Sequence, residues 1–222
     1  MTQTNLNRIL SILALLAALS VGGIIAAGLQ AGISQEPFQI ARASAENVVK
    51  LMTNPQGLRF NVGFDNAFII FYVSFFVLLA HRLKGLVPDE LRYVALFGSL
   101  LGALLDASEN QHILTMLFSA EHGLPVSTDE SQIQMLASNL KFHIVYVSTF
   151  LFAFGLARLG ALGTFIALGV WFVFLPLGLA IYVVPPELAR PLIIARGLFF
   201  LSSFVLMALL FFGNPKASAA EA

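Results

Sequence analysis

Leu105 is followed by Asp106, Ala107, Ser108, Glu109, Asn110, Gln111 and His112, inside a stretch otherwise rich in Leu, Phe and Ala. Asp106, Glu109 and Asn110 stand at i, i+3 and i+4, so a helix places them on one face. A carboxylate at the centre of a lipid-crossing helix costs about 3 kcal/mol on insertion scales, and more by other measures. Such residues face the bundle interior or a wet cavity, and they relay protons, hold polar ligands or pair with cations. Gly102 and Gly98 lie one and two turns before Asp106 on that face, where small residues let a neighbouring helix approach.

Other chemistry-bearing residues sit at comparable depth. Asp65 and Asn66 open the second apolar stretch, and Arg196 lies about a turn inside the sixth. Asn139, His143 and Tyr146, at i, i+4 and i+7, share a face of the fourth. Lys141 points nearly opposite to His143 on a helical wheel, so the two serve one pocket only if protein surrounds the helix. Asp106 or Glu109 has Lys141 or Arg196 available as a counter-charge, which a buried acid needs. The binding or proton-relay candidates are therefore Asp65, Asn66, Asp106, Glu109, Asn110, His112, Asn139, Lys141, His143 and Arg196. Against this stand plainer readings. Asp65, Lys141 and Arg196 can snorkel to headgroups, and Asp106 with Glu109 can be a structural ion pair.

The elements that position these groups follow from composition. The chain has 222 residues, 58% hydrophobic and only 11% charged, with no cysteine and a formal net charge of zero. Soluble domains carry about 25% charged residues, so lipid must cover much of this surface. Disulfides, thiolate catalysis and cysteine metal sites are excluded, and no basic run suits nucleic acid. Six apolar stretches, 9–29, 64–83, 91–118, 136–157, 164–184 and 192–212, approach the ~20 residues that cross a bilayer as helix. The period-two pattern of a membrane barrel is missing. The expected fold is an all-α, six-span bundle in one membrane domain, with no internal repeat. The first stretch is too long for a signal core and lacks a small-x-small cleavage site, so it reads as a retained anchor.

In the longest loop, 34–62, Ala41, Ala45, Val48, Val49 and Met52 recur at helical spacing, with Arg42, Glu46 and Lys50 between them. That pattern predicts an amphipathic helix at the membrane surface, either a cap or a gate. Asn54-Pro55-Gln56-Gly57 reads as a turn, Ser127 to Glu130 as a helix cap, and Pro176 as a kink. The Phe199–Phe200 and Phe211–Phe212 pairs read as lipid contacts. Arg8, Arg82, Lys84, Arg92, Arg158 and Lys216 fall on the side of the termini, against Arg42, Lys50, Arg59 and Arg190 on the other. The positive-inside rule then puts both termini in the cytoplasm of a bacterial-type membrane.

Four functions fit. The leading one is an outward-facing polar cavity that binds or transports a small polar or amphipathic molecule, with proton coupling. An intramembrane enzyme for lipid-like substrates is the second, using a carboxylate with His112 or His143, or a metal held by His112, His143 and Glu109. No HExxH or GxSxG spacing supports it. A haem ligated by His112 and His143 is the third. The last is an accessory subunit of a larger complex. Expected partners are the lipid bilayer, a small-molecule ligand, and further copies of the chain or a larger membrane complex.

Overall fold

The computed structural model describes residues 2–32 and 44–213, and the predicted helix positions Ala41 and Arg42, with Lys216, lie outside them. Six long helices form the spans: α1 (Gln3–Ala31), α3 (Pro55–Arg82), α4 (Asp89–Glu121), α5 (Thr128–Leu156), α6 with α7 (Ala161–Gly169 and Leu175–Val183), and α8 (Pro186–Phe212). Each is long and apolar enough to cross a membrane, so the chain is a multi-pass, all-α bundle in contact with lipid. The short helix α2 (Ser44–Thr53) lies between the first two spans. Among the described residues no strand forms; Lys84 and Val87 make one isolated bridge.

The helix ends carry local signals. Thr2 Oγ1 accepts from the Asn5 amide, and α1 stops at Gly32, whose φ of +66° suits a residue without Cβ. Asn54 accepts from the Gly57 amide at 2.9 Å with Pro55 in the first helical position, so the expected turn is instead the start of α3. Much of the expected loop is thereby helix. Ser127 caps α5.

Consecutive spans pack side by side, and α1 closes the circle against α8. Toward the end that holds the termini, Phe75, Phe152 and Phe204 are buried at the centre. Phe75 and Phe76 meet Phe204 edge to face, while Phe76 stacks on Phe152 at 5.1 Å. Phe211 belongs to this plug, against the expectation of lipid contact, whereas Phe212 is exposed. At the opposite end Leu51 of α2 is fully buried among Leu58, Val62, Ile113, Met116 and Leu117. Of the apolar positions expected on α2, Val49 and Met52 are exposed, at 70% and 43%. In a membrane an apolar face is as well served by lipid as by protein, so it does not mark the inward side.

The fifth span is not a plain helix. Val170–Phe174 forms a π turn, which ends two residues before Pro176. Pro176 has no N–H and its ring crowds the preceding turn, and a wider turn relieves that crowding.

Candidate functional site

Counting along α4, Asp106 lies about 25 Å from the start of a helix about 48 Å long, near its middle. Lys141 lies near the middle of α5 by the same count. The two helices approach closely there. A Cβ on Gly98 would come 3.1 Å from the Ser148 Cβ, and one on Gly102 would come 2.9 Å from Val145 Cγ2. Ser99 and Ser148 share a 2.7 Å hydrogen bond, and Ser148 donates to the Ala95 carbonyl.

Lys141 is the centre of the site. Its Nζ lies 2.5 Å from Asp106 Oδ1 and 2.5 Å from Glu109 Oε2. Glu109 is 0% exposed, Lys141 5% and Asp106 8%. Gln134 lies 3.4 Å from the second oxygen of Glu109, and the Tyr72 hydroxyl 3.4 Å from that of Asp106, both long contacts. Asn110 donates to Asp65 at 2.7 Å and to Asn66 at 3.0 Å. Asn61, one turn before Asp65, ties α3 to α1 through the Ile24 carbonyl at 2.9 Å. Two carboxylates of α4 thus hold one ammonium of α5, and a third carboxyl group, Asp65 of α3, joins them through Asn110.

A second cation stands behind this group. Arg196 is buried, with its guanidinium carbon 3.4 Å from the centre of the Phe142 ring and Nη1 3.4 Å from the Tyr146 hydroxyl. Lys141 lies 4.9 Å from the centre of the same ring. Phe142 therefore neighbours two cations, each favoured by the electron-rich face of a ring. Tyr146 packs on Phe174 at the end of the π turn, and Gly178 leaves room for the tyrosine ring against α7.

Asp65, Lys141 and Arg196 do not reach for headgroups; all three are buried. The groups also meet directly, where the sequence led us to expect walls of an open cavity. Three sequence candidates stand apart. His112 is half-buried and pairs through Nδ1 with Glu130 at 2.7 Å. His143 and, in part, Asn139 lie on the outer face of α5, where His143 packs against Tyr182 at 4.6 Å. The sequence left open which α5 face turns inward; it is that of Lys141, so Asn139 and His143 turn out.

A metal set of His112, His143 and Glu109 is not assembled, and among the described residues no three His, Asp or Glu side chains gather as ligands. The two histidines are engaged with different neighbours, Glu130 and Tyr182, which does not make a pair of axial haem ligands. Tyr72, Gln134, Ser138 and Asn61 were missed from sequence. Gln134, Ser138, Lys141 and Ser148 are all buried and fall on one heptad-spaced stripe of α5, a signal that would have found two of the missed residues, Gln134 and Ser138.

Comparison with protein-family models, with curated proteins and with solved structures returns no match. What the fold and the site define is a multi-pass membrane protein with a buried ion cluster at mid-depth.

Proposed function

We propose that the protein binds or carries a small polar or amphipathic molecule across its membrane, with proton exchange at the Lys141–Asp106–Glu109 cluster. The carrying observation is the ammonium held between two buried carboxylates at the middle of the spans. Asp65, Asp106 and Glu109 outnumber Lys141 and Arg196 by one, 3 against 2. Buried acids inside membrane spans are a recurrent proton-relay chemistry. Both ends are closed, by Leu51 and its neighbours on one side and by the phenylalanine plug on the other, as in an occluded state. The π turn beside Tyr146 supports movement of the fifth span, since such turns recur at functional sites. The enzyme reading is weaker, because His112 is engaged with Glu130 and His143 with Tyr182 and the Asn139 carbonyl, not with Asp106 or Glu109. We further place the protein in a bacterial cytoplasmic membrane with both termini inside, from the excess of Lys and Arg at that end.

The test needs no knowledge of the solute. Protein reconstituted on a solid-supported membrane is exposed to a pH jump, and the transient charge displacement is recorded. Wild type should give a saturating transient that Glu109→Gln loses while still folding. Absence of a transient in wild type, or its persistence in Asp65→Asn, Asp106→Asn and Glu109→Gln alike, would leave only a structural ion pair.

A further inference from the structure

We propose that the protein is a parallel homodimer that meets through the outer face of α5, with His143 at the centre of the seam. Leu136, Leu140, His143, Val147, Phe150 and Phe154 follow one another at spacings of four and three, and all are exposed. That is the heptad pattern of a helix seam. The opposite face of α5, with Gln134, Ser138, Lys141 and Ser148, is already buried in its own bundle.

An exposed apolar stripe alone is ordinary lipid contact. His143 makes this one different. It lies about 5 Å from the middle of the apolar stretch 136–157, by the helical rise. From there its short side chain cannot reach the headgroups. Its Nδ1 lies 2.7 Å from the Asn139 carbonyl, which can only accept, so Nδ1 carries the proton. Nε2 is then an acceptor, and among the described residues nothing donates to it. Tyr182 covers only a face of the ring. Other outward positions at this depth suit lipid: Ile70, Val77, Leu100 and Leu104 are apolar. The outward hydroxyls of Ser74 and Ser202 donate to their own helices.

A second copy is the occupant that fits. Copies in one membrane share an orientation, so a two-fold axis runs along the membrane normal and α5 meets its counterpart parallel and in register. A two-fold interface must be self-complementary. Asn139, part-exposed one turn before His143, supplies carboxamide N–H donors, and His143 supplies the acceptor. Hydrogen bonds across helices are a recurrent glue in lipid. One polar residue in an apolar heptad seam also fixes its register.

The absence of cysteine makes the test direct. Full-length protein with Leu140→Cys or Val147→Cys is reconstituted, oxidised with copper phenanthroline and run without reductant. Leu104→Cys and Ile70→Cys serve as lipid-facing controls. Seam positions should cross-link roughly tenfold more than the controls, and should keep that yield when lipid is added in excess. Equal yields at all four positions, or yields that fall together on dilution, would mean random collision and overturn the dimer. So would a monomer at every dilution.

Discussion

Glu109 has no exposed surface, and the ammonium of Lys141 on the next helix lies 2.5 Å from it. A pair of this kind is stable mainly because each charge would be stranded without the other. Removing one partner of a buried pair costs about 3–5 kcal/mol, whereas apolar replacement of the whole group is often neutral. Lys141→Met should therefore lower the melting temperature in detergent sharply. Combining it with Asp106→Leu and Glu109→Leu should recover most of the loss. Recovery of stability without recovery of the pH-jump transient would separate the fold from the proposed activity.

The contact between Gly178 and Tyr146 gives a second prediction. A Cβ at residue 178 would overlap the tyrosine ring, which is wedged between Phe174 and Arg196. Gly178→Ala should destabilise by about 1–3 kcal/mol, the usual cost of overpacking. Gly22 is the control, because nothing lies within 4 Å of its Cβ position. There the same substitution should stabilise by roughly 0.5–1 kcal/mol through helix propensity. Thermal unfolding followed through Trp171 compares the two.

The spans were legible because an apolar run of sufficient length has one outcome in lipid. Their true ends were not. Helices α3 and α5 begin well before their apolar stretches, at the Asn54–Pro55 and Ser127 caps, because a capped helix continues into water regardless of hydropathy. The acids of α4 were legible as an anomaly in cost. Lys141 was harder. Its opposition to His143 was readable from spacing, yet both faces of α5 mix polar and apolar residues, and only packing on α4 decides between them. The reading of Phe211 failed, and Leu51 went unassigned, for a related reason. In lipid, hydrophobicity no longer says which side is inside.

Leu51 closes the bundle over the end from which Glu109 and Ser138 are nearest to water along their helices. Leu51→Ser should loosen this cap, since truncating a fully buried leucine even to Ala costs about 2–5 kcal/mol. Accessibility reports it. Ser138→Cys, at a fully buried position, should react slowly with a water-soluble maleimide in the parent. The reaction should speed up by about tenfold for every 1.4 kcal/mol by which opening becomes easier in the Leu51→Ser background. An unchanged rate would mean that water reaches the cluster by another route, or not at all.

Orientation is the last prediction, and it rests on where the cations fall. Arg82, Lys84, Arg92 and Arg158 stand at the end of the bundle that holds Thr2 and Phe212. At the α2 end, Arg59 is engaged with Glu121 at 2.5 Å, and Asp129 and Glu130 open α5. Insertion favours retaining the Lys- and Arg-rich ends of spans in the cytoplasm. Two exposed residues report the outcome, Lys84 in the loop after α3 and His122 at the end of α4. In intact cells His122→Cys should label with an impermeant maleimide, and Lys84→Cys should label only after the membrane is permeabilised. The reverse pattern would turn the bundle over, and the α2 cap would then close the cluster from the cytoplasm instead.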